Sequence, residues 1–98
     1  MKNEYHGRYR QDSNQREIVR FLEACACSVQ VLSNVGNGLP DILVGVRGQN
    51  YLLEIKSSEV AKHTKKQLEF YEHSRGQWVR VNSINDVIQF LKSEGVLS

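Results

Sequence analysis

The sequence predicts an α/β domain of element order αβββαβα, a central mixed β-sheet flanked by helices, and three observations lead to it. Two apolar runs, residues 41–46 and 51–56, are joined by a short turn containing Gly48, the pattern of an antiparallel hairpin. Segments of helical period, each with a capping residue in front, lie before and after that hairpin. A helix separates the third strand from the fourth, which permits a parallel crossover and so a mixed sheet.

In chain order, residues 1–11 are expected to be a flexible basic arm, with Lys2, Arg8 and Arg10 against Glu4 and with Tyr5, His6 and Tyr9 interleaved. Residues 12–98 are expected to form a single folded domain. Asp12 or Ser13 can cap the first helix, in which Ile18, Val19, Leu22 and Cys25 share one face; Gln15, one turn earlier, belongs to that inward face. Asp12 and Gln15 also have the spacing of a capping box. Residues 28–33 alternate as a half-buried first strand. A loop with two glycines and two asparagines follows, residues 34–39. Pro40 holds Leu39 extended and sets the direction from which Asp41 enters the second strand.

Strands two and three take residues 41–46 and 51–56, and residues 57–63 are a polar connection. Thr64 caps a helix over residues 65–75, with Leu68, Phe70 and Tyr71 as its apolar side and Gly76 as its stop. Residues 77–82 make the fourth strand, with Trp78, Val79 and Val81 apolar; core packing is the expected role of Trp78 and of Tyr51. Ser83 caps the last helix, residues 84–94, whose stripe is Ile84, Val87, Ile88 and Leu91, and Gly95 ends it.

A chain of 98 residues is large enough for one modest core. Apolar residues at 40% and charged ones at 24% are ordinary for a globular domain. No run approaches the roughly 20 apolar residues of a membrane span, and the first fifteen residues lack the apolar centre of a signal peptide. A cytoplasmic location is expected. Cys25 and Cys27 are too close in sequence to meet disulfide geometry easily and have no second pair to complete a zinc site, so both are expected to be reduced thiols. His6, His63 and His73 show no metal-ligand spacing.

Net charge is only +2, which by itself indicates no nucleic-acid partner. The distribution is more informative. Residues 56–66 contain Lys56, Lys62, Lys65 and Lys66 against Glu59, a local +3. That segment and the N-terminal arm can each line a phosphate track, or be a solvated loop and a loose tail.

The hairpin carries three polar residues where apolar ones would be expected. Asp41 opens its first strand, and Glu54 and Lys56 lie two apart on its second, so they project to one side while Leu53 and Ile55 project to the other. The antiparallel return brings Asp41 beside Glu54. Two carboxylates next to a core repel one another unless a proton or a cation intervenes, and a divalent cation favours such hard oxygen ligands. The lysine would then supply positive charge where a phosphate, an attacking water or a developing oxyanion sits. An ordinary hairpin with a Glu54–Lys56 surface pair has the same spacing.

Pro40-Asp41, twelve intervening residues, then Glu54-Ile55-Lys56 resembles the PD-(D/E)XK nuclease signature. Its setting after Gly36-Asn37-Gly38-Leu39 resembles the VRR-NUC branch of that superfamily. Thr64-Lys65-Lys66-Gln67 is similar to the family's helix start with an inward glutamine, and the likeness runs on through Gly76 to the last helix, over roughly residues 12–92. The resemblance implies a restriction-endonuclease-like fold and hydrolysis of DNA with Mg²⁺ or Mn²⁺. Asp41, Glu54 and the backbone carbonyl of Ile55 would be the metal ligands, and Lys56 would position or activate water. Gln15 and Gln67 would orient water or phosphate, although Gln67 has capping-box spacing as well. Arg8, Arg10, Lys62, Lys65 and Lys66 would contact the nucleic acid.

PD-(D/E)XK nucleases, including the archaeal Holliday-junction resolvases that the first helix also resembles, commonly carry a glutamate there facing the metal site. Gln15 stands at the matching position and brings no charge, which points to one metal rather than two. Small VRR-NUC proteins resemble viral and prophage enzymes, so the resemblance further implies a nuclease acting in a host cell, specific for branched DNA such as a four-way junction, and working as a homodimer. Two other classes remain open. A catalytically inactive nucleic-acid-binding module on the same fold would retain DNA without cutting it. A small partner-binding α/β domain would bind neither metal nor DNA.

Overall fold

The computed structural model describes residues 6–56 and 62–98, with side chains from residue 13 onward. The elements are α1 (His6–Ala24), β1 (Ser28–Val31), β2 (Ile42–Val46), β3 (Gln49–Ile55), α2 (Lys65–His73), β4 (Trp78–Val81) and α3 (Ile84–Ser93), the predicted αβββαβα order. The sheet runs β1-β2-β3-β4, antiparallel at its first two junctions and parallel between β3 and β4. It is therefore mixed, as the helix between β3 and β4 requires.

The β2–β3 hairpin closes through Arg47 and Gly48 at φ 52° and 80°, with Val46 opposite Gln49. Two successive left-handed residues make the tight turn whose twist matches paired strands. Period-two alternation then sorts the sheet into two unlike faces. Ile42, Val44, Tyr51, Leu53 and Val81 are buried on one face, where α1 contributes Ile18 and Leu22 and α3 contributes Val87, Phe90 and Leu91. Tyr51 meets Phe90 edge-on at 4.9 Å between ring centres. The opposite face presents Leu52, Glu54, Lys56, Trp78 and Arg80, and α2 approaches it.

Several boundaries differ from the sequence prediction. α1 begins at His6, so Asp12 and Ser13 lie inside helical backbone and cap nothing, and Asp12–Gln15 is no capping box. Once the apolar turn at Ile18 and Leu22 is held against the sheet, propagating the helix toward the N-terminus costs little per residue, and the polar stretch 6–11 offers no periodicity that would reveal it. Of the expected arm, residues 6–11 are helical and residues 1–5 lie outside the described residues.

α2 ends at His73 rather than near Gly76. Ser74 turns extended, its amide bonding the carbonyls of Phe70 and Tyr71, and Arg75 Nη1 lies within 3.3–3.5 Å of the carbonyls of Glu72, His73 and Ser74. Nor is α2 packed on an apolar side: it buries no residue, and Leu68 and Tyr71 are 46% and 51% exposed. Both cysteines are free, Cys27 buried and Cys25 half-buried. Among the described residues no helix is long and apolar enough to cross a membrane.

Candidate active site

Asp41 is fixed by its backbone before its side chain is considered. Its amide donates to the Leu53 carbonyl at 3.0 Å and its carbonyl accepts from the Leu32 amide at 2.7 Å, tying it to the ends of β1 and β3. Its Oδ2 accepts from the Ile55 amide at 2.7 Å. The carboxylate thereby takes the place of a main-chain acceptor at a point where Pro40 interrupts regular pairing. Pro40 itself is buried.

Glu54 and Lys56 lie on one face of β3, as their spacing predicted. The Glu54 side chain is 3% exposed and that of Lys56 12%, with Nζ 3.5 Å from Glu54 Oε2. Gln67 joins them: its Nε2 donates to Glu54 Oε2 at 3.1 Å and its Oε1 accepts from Lys56 Nζ at 2.7 Å. The same Oε1 accepts from the Thr64 amide at 2.8 Å while Thr64 Oγ1 accepts from the Gln67 amide at 3.1 Å, completing a capping box. Gln67 is therefore a capping-box residue that also faces the β3 carboxylate and lysine, since one amide reaches the helix start and the β3 face together.

Burial pushes the Glu54 carboxyl up to about 7, the nearby Asp41 charge adds to that, and the Lys56 ammonium opposes it. The native state then holds a proton that the unfolded chain releases above about 4.5, so stability is full below that pH and falls as pH rises through about 7. Urea unfolding in EDTA at pH 5 and pH 8 is expected to show a loss of roughly 2–3 kcal/mol from this group. In Glu54→Gln the loss should disappear. An equal pH dependence in the variant would mean that Glu54 is not the titrating group.

One oxygen of this cluster is unaccounted for. Glu54 Oε1 is buried without a hydrogen-bond partner among the described residues, and an ionised oxygen left so is costly. A hard cation beside Asp41 would satisfy it, so the donor set fits a divalent ion. The protein side chains alone do not close such a site: among the described residues no three His, Cys, Asp or Glu side chains gather around one point. Backbone oxygen or water would have to complete it.

The remaining predicted residues are distributed as follows. Gln15 is half-buried and accepts from Ser33 Oγ at 3.2 Å. It thus braces the segment leading to Asp41, whereas Asp41, Glu54, Lys56 and Gln67 meet directly. Lys62, Lys65 and Lys66 are exposed, the last two in the first turn of α2. Arg8 and Arg10 fall within α1, with side chains outside the described residues. Sequence reasoning missed two neighbours. Arg80 stands opposite Glu54 in the β3–β4 register, and its Nε donates to Asn82 Oδ1 at 3.0 Å. His63 lies against Trp78, and burial, then the charges of Lys56 and Arg80, hold its pKa below the ordinary value. Alternation counted along the fourth strand could have found Arg80; nothing local marks His63.

Searches of family models and of curated proteins return no match. Among solved structures, a VRR_NUC domain superposes with a TM-score of 0.70 at 29% sequence identity, covering 82% of this chain and 91% of its own. A match of that extent covers most of the chain rather than one motif. Together with the Pro40-Asp41 and Glu54-Ile55-Lys56 signature on adjoining strands, this similarity supports a nuclease of the VRR-NUC kind.

Proposed function

We propose that the chain is a metal-dependent endodeoxyribonuclease that hydrolyses phosphodiester bonds in branched DNA. The observation that carries the reading is the buried Glu54 carboxylate, with one oxygen unpartnered, next to a second carboxylate whose position the backbone fixes. Asp41, Glu54 and the Ile55 carbonyl would hold Mg²⁺ or Mn²⁺. Continuing the β2–β3 register past Ile42 and Leu53 sets Ile55 opposite Pro40, which has no N–H, and the Leu39 amide is already given to Gly36 at 3.1 Å. That carbonyl is therefore available from this side. When bound, such an ion lowers the pKa of water and polarises a phosphate oxygen.

The chain's own side chains supply the rest. Lys56 brings its ammonium to the same face, where it stabilises charge developing on the phosphate and orients the attacking water. With α2 in place, Gln67 holds both Lys56 and Glu54 on the β3 face. Lys62, Lys65 and Lys66, with Arg8 and Arg10, would neutralise phosphates on the approach. Residues 12–98 would be the catalytic domain, one metal rather than two would follow from the uncharged Gln15, and a homodimer would present two sites to the two strands of a junction. These last features, like action on viral or prophage DNA in a host cytoplasm, extend the family resemblance.

Gln15 in place of a first-helix carboxylate also favours a second reading, a module that binds DNA without cutting. Labelled single-stranded, duplex, flap and four-way-junction DNA, incubated with Mg²⁺, Mn²⁺ or EDTA, separates the two. Metal-dependent cutting, fastest on a branched substrate and absent in EDTA, is expected. Binding without cutting would establish the inactive module, and neither binding nor cutting would remove DNA as the ligand.

A further inference from the structure

Beside the carboxylates, on the same sheet face, lies a cluster of rings that the chemistry above does not use. Trp78 stands opposite Leu52, two residues before Glu54 along β3, which places it roughly 7 Å along the strand from the site. Tyr71 of α2 lies over it at 4.3 Å between ring centres with the planes tilted by 40°, and His63 meets it edge-on at 5.6 Å. This is not finished core. Tyr71 is 51% exposed, Leu68 one turn earlier is 46% exposed, and α2 buries nothing. Among the described residues, His63 Nδ1 and Trp78 Nε1 are buried without hydrogen-bond partners, whereas packed rings ordinarily satisfy theirs.

We propose that Tyr71, backed by Trp78 and His63, is a shelf on which an unpaired nucleobase stacks, about one nucleotide from the phosphate that Lys56 would face. The inference rests on the nuclease reading for the strand's presence at the site. An aromatic face rimmed by cations is the combination that binds single-stranded nucleic acid, because every base has a π-face and every linkage a charge. The exposed Lys62 is next to His63 in the chain, and exposed Lys65 and Lys66 stand at the start of the helix that carries Tyr71, where a strand leaving the shelf would bring its phosphates. A fully paired duplex keeps its bases in their own stack and cannot fill the shelf. Preference for a branch or flap would then come from the unpaired nucleotide there.

Trp78 is the chain's single tryptophan, so its fluorescence reports occupancy directly. Titration of the full chain in EDTA with a single-stranded oligonucleotide is expected to change that emission, and a matched duplex should do so much less. Tyr71→Ala should weaken single-strand binding roughly 5- to 150-fold, the range of one lost base stack, while Tyr71→Phe binds as the native chain does. Because Tyr71 is half exposed, both variants should keep the native far-UV circular dichroism. In a flap substrate, an abasic nucleotide beside the mapped cut should weaken native binding as Tyr71→Ala does and add no further loss in that variant. Equal binding by Tyr71→Ala, or abasic and Tyr71 losses that simply add, would overturn the shelf even if the chain cuts DNA. Conversely, a Tyr71-dependent change in emission without any cutting would uphold the shelf and sink the catalytic reading, and a native chain that binds no DNA would sink both.

Discussion

Lys56→Ala and Asp41→Asn are each expected to slow DNA cleavage roughly a hundred- to ten-thousand-fold while leaving the fold intact, the range for removing a charge that acts in the transition state. The two variants do different things. In Asp41→Asn the amide oxygen can still accept from the Ile55 amide, which the native carboxylate does at 2.7 Å, so the end of β2 stays in place and only the negative charge is lost. Lys56→Ala removes the ammonium 3.5 Å from Glu54 Oε2, which opposes the rise in that carboxyl's pKa caused by burial and Asp41. Cleavage by this variant should therefore be slow at every pH. Single-turnover rates on the preferred substrate, with circular dichroism as a control on folding, measure both effects. A Lys56→Ala rate within a few-fold of native would show that the signature lysine takes no part in chemistry.

Gly38→Ala should destabilise the protein by about 2–4 kcal/mol, combining left-handed strain with a steric overlap. Gly38 sits at φ 79°, and a Cβ there would overlap the Lys66 carbonyl and lie 2.8 Å from the Gln67 amide nitrogen. The neighbours are backbone, so relief requires the first turn of α2 to move, and that turn carries Gln67. Activity should fall with stability. Gly36→Ala is the control: its φ of 77° is similar, but nothing lies within 4 Å, so strain alone applies and about 1 kcal/mol is expected. Urea midpoints of the two variants separate conformational strain from contact; equal losses would mean that the loop does not bear on α2.

The parts of the molecule legible in the sequence were those where a local pattern and a tertiary requirement coincide. Asp41, Glu54 and Lys56 stood out because they interrupt apolar strands, and period-two alternation alone was enough to set Glu54 and Lys56 on one face. Thr64 and Gln67 were legible for a similar reason, since capping-box spacing and an inward amide make the same demand. The start of α1 was not, because residues 6–11 are polar and continue a helix whose stability comes from Ile18 and Leu22 downstream. The contacts of His63 and Trp78, fifteen residues apart, and of Gln15 and Ser33, eighteen apart, depend on how α2 and α1 come to lie on the sheet, which no local period encodes. Leu68 and Tyr71 misled in the opposite direction: helical spacing of apolar residues suggested a buried face where there is an open one.

That open face has an energetic consequence. A helix with no fully buried residue, held by the Gln67 amide, the Tyr71–Trp78 contact and one close backbone approach at Gly38, has little to lose by detaching. α2 is therefore the element whose local opening should lie nearest in free energy to the native state, well below global unfolding. Since Gln67 leaves with it, Glu54 and Lys56 lose their common partner in the open form, and the assembled site is one member of an equilibrium rather than a permanent fixture. Any ligand that bridges β3 and α2 draws that equilibrium toward the closed form in proportion to its preference for it. In this domain, ordering a helix and assembling the Glu54–Lys56–Gln67 cluster are the same event.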